Sequence, residues 1–143
     1  MNKRIFLLMA IAIMSITMMA QTPILGEWIT IDDKTNEKAS VVSIYKGSNG
    51  LYYGKIIQLF NQDGPGICTE CTGADKDKPI VGLIIVRDMQ LKDGELCGGK
   101  VLDPDNGKFY YAKMYLDKSG KLVLRGSLDR AGLLGRSQTW IRK

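Results

Sequence analysis

Three cysteines and no histidine set the limits of the chemistry this 143-residue chain can perform. Cys68 and Cys71 stand in Cys-Thr-Glu-Cys, a spacing open to a local disulfide, a redox pair or part of a zinc site. A redox pair wants its first thiol at a helix N-terminus that depresses the pKa, and Thr72-Gly73-Ala74-Asp75 reads as loop. A structural zinc site wants four Cys or His ligands, which this composition does not supply. The disulfide is the expected state if the chain is exported, as its N-terminus indicates. Cys97 is left over and reads as a small buried apolar residue. Without imidazole there is no Ser–His or Cys–His pair and no neutral-pH imidazole base. Carboxylate or lysine chemistry stays open, but no paired acid and base stand out, so no enzymatic activity is expected. Asp103-Pro104-Asp105-Asn106-Gly107 superficially resembles a calcium loop, yet its glycine falls one position early and no Glu closes it. It reads as a rigid turn, and neither a cofactor nor a metal is expected.

The other candidates are aromatic and cationic. Tyr53, Tyr110, Met114 and Trp140 are the residues expected to line a ligand cavity, being apolar in body with polar tips on three of them. The competing reading is a filled core with cross-strand aromatic pairs. Lys55, Lys113, Arg125 and Arg136 are the cations that would meet an anionic head group, or else form an ordinary solvated face.

Short strands must position these residues. Gly26–Ile31, Ala39–Lys46, Leu51–Leu59, Ile80–Val86, Glu95–Leu102, Lys108–Leu116, Lys121–Leu128 and Ser137–Arg142 are apolar or alternating runs bounded by turn signals such as Asn49-Gly50 and Asn106-Gly107. Phe60–Pro79 is the longest loop, and Arg87–Gly94 reads as a polar connection. About eight strands joined by sequential hairpins predict an all-β fold, a single antiparallel up-and-down barrel. By alternation Tyr110, Ala112, Met114 and Leu116 face inward. On the next strand Leu122, Leu124, Gly126 and Leu128 oppose Val123, Arg125 and Ser127, so an inward Arg125 would need a bulge near Gly126.

Residues 1–20 read as a secretory signal peptide: basic Lys3-Arg4, the apolar run Ile5–Ile16, and Ala20 at the cleavage point. Removing them leaves 123 residues with 18 basic and 15 acidic side chains, a net charge of +3. That suits one domain, 21–143, and gives little reason to expect nucleic acid as a partner. No transmembrane segment follows the leader, and a periplasmic or secreted location is expected.

Several pieces occur in an order that resembles the bacterial domain-of-unknown-function family 2147, whose members are exported and lipocalin-like. They are Gly26-Glu27-Trp28, Tyr53-Gly54-Lys55-Ile56, Cys68-Thr69-Glu70-Cys71-Thr72-Gly73, Lys78-Pro79-Ile80-Val81-Gly82-Leu83, Gly98-Gly99-Lys100-Val101-Leu102-Asp103-Pro104, Gly107-Lys108-Phe109-Tyr110, Leu124-Arg125-Gly126 and Gly135-Arg136-Ser137-Gln138-Thr139-Trp140. The resemblance implies a lipocalin-like (calycin-type) barrel but no known activity. It also implies that Trp28 plugs one barrel end beneath an arginine from a late strand. Arg125 is the expected partner and Arg136 the second choice, because indole and guanidinium stack. The expected role is binding of a small apolar or amphipathic ligand in the barrel. The alternative is an envelope interaction or structural module with a filled barrel, acting through the Phe60–Pro79 loop.

Overall fold

Each apolar run ends where a turn residue permits reversal, and the chain folds back on itself seven times. The computed structural model describes residues 22–61, 64 and 66–143; the expected signal peptide lies outside them. The strands are β1 (Gly26–Ile31), β2 (Lys38–Lys46), β3 (Tyr52–Leu59), β4 (Ile84–Lys92), β5 (Glu95–Asp103), β6 (Lys108–Leu116), β7 (Leu122–Ser127) and β8 (Gly135–Arg142). Each pairs antiparallel with the next, and β8 returns to β1 to close the barrel. Closure leaves only short stretches of sheet edge unpaired at the β1–β8 seam, which limits edge-to-edge association.

The expected strand at Ile80–Val86 is displaced toward the C-terminus. The turn is Asp93-Gly94, where both residues take positive φ, so the pairing runs back through Lys92 to Ile84. Arg87–Lys92, expected as a connection, is therefore strand, with Met89 fully buried opposite Tyr52. Ile80 and Leu83 are apolar for a different reason: they pack against the core from the loop before β4.

That loop is held by the predicted disulfide, Cys68–Cys71, with both cysteines buried. The carbonyl of Glu70 sits where a Cβ on Gly107 would collide with it, so the positive φ of Gly107 and its missing side chain let the loop seat on the β5–β6 turn. Asp75 anchors the far side through Arg87, at 2.9 Å. Cys97, by contrast, is half-buried on β5 rather than sealed in the core.

The two ends of the barrel differ. At the end where β1 begins, Trp28 is fully buried and its indole N–H donates to the Ile24 carbonyl at 2.8 Å. The arginine over its ring is Arg142, 3.8 Å from the centroid, and not Arg125 or Arg136. Register explains the correction: Trp28 and Arg142 are direct partners across the β1–β8 seam, so the guanidinium reaches the indole without crossing the barrel. Arg142 also donates to the carbonyls of Leu25 and Pro23, tying down the segment that covers this end. β7 runs without a bulge, and Arg125 points outward to bond the Gly132 carbonyl at 2.7 Å. Arg142→Ala is expected to lower unfolding free energy by about 2 kcal/mol, from the lost stacking and two charged hydrogen bonds. Arg136→Ala should cost under about 0.5 kcal/mol, its ion pairs being exposed. Urea denaturation of both variants checks the assignment, and the reverse order would contradict it.

Candidate functional site

Cross-strand partners share a face, so the register identifies which side chains look into the barrel. Gly99, Ala112, Gly126 and Arg136 form one inward row across β5–β8, since each pairs with the next. A Cβ on Gly126 would lie 3.6 Å from both Tyr110 and Val101, which places those two on the same inner wall.

Exposure along this wall falls steadily with depth. On β6, Tyr110 is half-buried, Ala112 is 7% exposed and Met114 is sealed. On β7 the order is Gly126, Leu124 and Leu122, again from half-buried to sealed. On β8 it is Arg136, Gln138 and Trp140. Water therefore reaches the inner wall at the end opposite Trp28, a mouth termed the cup below, and Met114, Leu122 and Trp140 lie sealed beneath it. Across from this wall Thr30 and Ser40 share a 2.7 Å hydroxyl contact, almost buried.

The rim is polar. Asn106 donates to the hydroxyl of Tyr110 and to the carboxylate of Asp103, fixing the ring against the β5–β6 turn. Gln138 donates to Asp33 at 2.9 Å. Arg136 stands between Asp33 and Asp103, at 3.9 and 4.0 Å, with its side chain 70% exposed. Such loose, wet pairs are weak and easily exchanged for another anion.

One stretch of rim is apolar. The β7–β8 ladder continues by one bond beyond its strands, from the Leu128 N–H to the Leu134 carbonyl, so these two leucines stand side by side in step with Gly126 and Arg136. The loop they belong to is held from within. Asp129 accepts from the backbone N–H groups of Leu133 and Leu134, and Ser127 donates to the Asp129 carbonyl. The Leu134 and Leu133 hydrogen bonds hold the Asp129 carboxyl below its usual value.

Of the four expected ligand residues, the structure brings three to this end of the interior. Tyr110 lines the cup, while Met114 and Trp140 are core packing below it. Tyr53 is elsewhere. Strand alternation turns Tyr52 inward and Tyr53 outward, where it stacks on Tyr45 and donates to Asp88 at 3.0 Å. Tyr53 borders a separate outer cleft of about 470 Å3 between β3–β4 and the disulfide loop, with Asp75 and Arg87 on its wall. Among the four cations, Arg136 alone is on the inward row; Lys113 and Arg125 are paired with each other on the outer face, and Lys55 lies over the outward Tyr45 ring. Val101, Gly126, Gln138, Leu128 and Leu134 were not expected at a site. Period-two alternation on β7 and β8 groups Gly126 with Leu128 and Gln138 with Arg136, so the signal was present.

A closed eight-stranded up-and-down antiparallel barrel with one sealed end and one wet end is a lipocalin-like fold. Residues 26–142 match the model of the family described as "Uncharacterized protein conserved in bacteria (DUF2147)", and the chain belongs to that family. Among solved structures, protein HP1028 from the human pathogen Helicobacter pylori, described as belonging to the lipocalin family, is similar in fold. Its TM-score is 0.72 at 23% identity, covering 83% of this chain and 82% of that one. No curated protein sequence matches.

Two measurements check the geometry of the cup. A Cβ on Gly99 would collide with the Arg87 carbonyl, whereas one on Gly126 makes ordinary contacts. Gly99→Ala should therefore destabilise by about 3 kcal/mol or more, and Gly126→Ala by less than about 1 kcal/mol. Thermal unfolding of the pair distinguishes them, and equal effects would place Gly126 in a packed wall. For Asp129, the folded pKa lies below the unfolded one, so its stabilisation is complete above the ordinary carboxylate range and lost as pH falls through the folded value. Protection of the Leu133 and Leu134 amides, relative to their intrinsic exchange rates at each pH, should persist below the ordinary aspartate pKa and be lost only further down, and in Asp129→Ala it should be low throughout.

Proposed function

We propose that this protein is an exported carrier or sensor that binds one small amphipathic molecule in the cup, rather than an enzyme. The apolar part of the ligand lies against Val101, Tyr110, Gly126 and Leu128. Its polar or anionic end meets Arg136 and Gln138, exchanging with the weak pairs to Asp33 and Asp103. Export in this reading rests on the basic and apolar leader, residues 1–20.

The observation that carries the proposal is the graded exposure of the inward wall from β5 to β8. Half-buried side chains face into the open end of a barrel whose lower part is packed solid. Natural barrels of this strand number either fill with side chains or hold one small ligand, and this chain combines the two. A shallow cup suits a single ring or a short chain, with part of the ligand left in water. The disulfide loop is fastened down by buried cysteines and the Asp75–Arg87 pair, so it does not have the character of a free interaction surface.

Anilinonaphthalene sulfonate tests the reading, because it couples apolar rings to a single anion. Its fluorescence should rise and saturate at one molecule per chain. Gly126→Met fills the cup and should abolish the signal without lowering the melting temperature of the unliganded protein by more than a few degrees. Arg136→Ala should weaken binding about five-fold, the loss of one exposed ion pair. Undiminished probe binding by Gly126→Met would place the ligand elsewhere.

A further inference from the structure

Six of the seven exposed large apolar side chains among the described residues lie at the cup end: Phe60, Val81, Phe109, Leu128, Leu133 and Leu134. The three leucines of the β7–β8 loop are the extreme, at 69%, 79% and 67% exposure. Soluble chains seldom expose three large aliphatics within seven residues. A mobile loop would fold them away, but this one is braced. Asp129, Ser127 and Arg125 together make five hydrogen bonds to its backbone, which hold the leucines out in water.

The surroundings of the leucines are cationic. Arg125 and Arg130 flank them, and Arg136 follows at the start of β8. The one acid within the loop, Asp129, has both oxygens engaged by backbone N–H groups. Down the outer wall of β5 and β6, Lys100 and Tyr111 are cross-strand partners, and the Arg130 guanidinium lies 5.5 Å from the Tyr111 ring. A hydrogen bond from Arg130, with the charges of Arg130 and Lys100, pulls the Tyr111 phenol below its usual value. Lys113 lies further along the same wall and is matched by Glu95 at 2.8 Å. Asp103 and Asp105 at the β5–β6 turn and Asp33 after β1 are the neighbouring acids, and Asp33 and Asp103 both face Arg136.

We propose that the β7–β8 loop is a membrane-docking surface, which inserts Leu128, Leu133 and Leu134 into the interface of an anionic bilayer while Arg125, Arg130 and Lys100 meet its head groups. Apolar insertion joined to basic side chains is the usual physical basis of peripheral attachment, and neither term alone gives a stable complex. Charge selects the occupant. A second copy of this chain would bring the same cations face to face, whereas an anionic lipid surface complements them. Docking here brings the mouth of the cup toward the bilayer. It does not depend on the cup being a ligand site.

Vesicle co-sedimentation tests the proposal, using the chain from Gln21 onward so that the apolar leader contributes nothing. All described barrel contacts fall within that chain. Vesicles of phosphatidylcholine with phosphatidylglycerol should carry the protein down, and phosphatidylcholine alone should not. Raising the salt should release most of it. Leu133→Ser combined with Leu134→Ser should weaken the binding about ten-fold or more, and Arg130→Gln about five-fold. Both changes fall on exposed side chains, so circular dichroism should show an intact fold. Three outcomes would overturn the proposal. One is no sedimentation with anionic vesicles, and another is binding indifferent to lipid charge and to the leucine variant. The third is a dimer in the absence of lipid that the leucine variant converts to monomer, which would make the surface an interface between copies.

Discussion

Everything in this barrel depends on closing β8 onto β1, and that seam is the shortest in the ring, with only two residue pairs. One of the two is Trp28 with Arg142, so the residue that plugs the barrel end also staples the seam. The indole fills the end of the core, and the guanidinium covers it while holding the Pro23 and Leu25 carbonyls. A flat aromatic and a flat cation suit this position because both faces of the indole are used: one against aliphatic side chains, one against charge. Beyond Ile29–Ile141 the two strands part. The gap leads to the wet end, where Asp33, Gln138 and Arg136 provide only polar side-chain contacts.

The polarity of the molecule follows. One end is sealed by Ile24, Trp28 and Arg142, and the other is ringed by the longer loops. Along β5 to β8 the inward side chains change from large and buried to small or polar and wet as they approach that second end. Gly126 and Gly99 lie in the same inward row for different reasons. Gly99 has no room for a side chain under Arg87, while a Cβ on Gly126 would make only ordinary contacts with Tyr110 and Val101. The Asp129-braced leucine hairpin stands on the same side, so the wet cup and the apolar loop tip share one end of the barrel.

Most of the architecture was legible in the sequence, because turn residues and period-two alternation are local signals. Asn49-Gly50 and Asn106-Gly107 marked hairpins correctly, and the inward set Tyr110, Ala112, Met114 and Leu116 matches the buried pattern of β6. The apolar run Ile80–Val86 misled because an apolar loop segment covering the barrel reads like a strand, and Asp93-Gly94 was the turn to count back from. Which arginine stacks on Trp28 was not legible. It depends on the register of first strand against last, a pairing that no local pattern records. Tyr53 was misplaced by a single residue, since its neighbour Tyr52 takes the inward position. The cup itself was half legible: its floor residues were named, and alternation groups Gly126 with Leu128 and Gln138 with Arg136 above them, but no local pattern marks which end of the barrel water enters.

The proposed ligand site is the open cup of β5–β8, and not the outer cleft beside Tyr53. A two-dimensional NMR titration with a short-chain amphipathic carboxylate tests it most directly. The account predicts that shifted amides cluster at Val101, Tyr110, Gly126, Gln138 and the Leu128–Leu134 loop, with Tyr53, Asp75 and Asp88 unmoved. Shifts concentrated around Tyr53 and Asp88, with the cup silent, would contradict it.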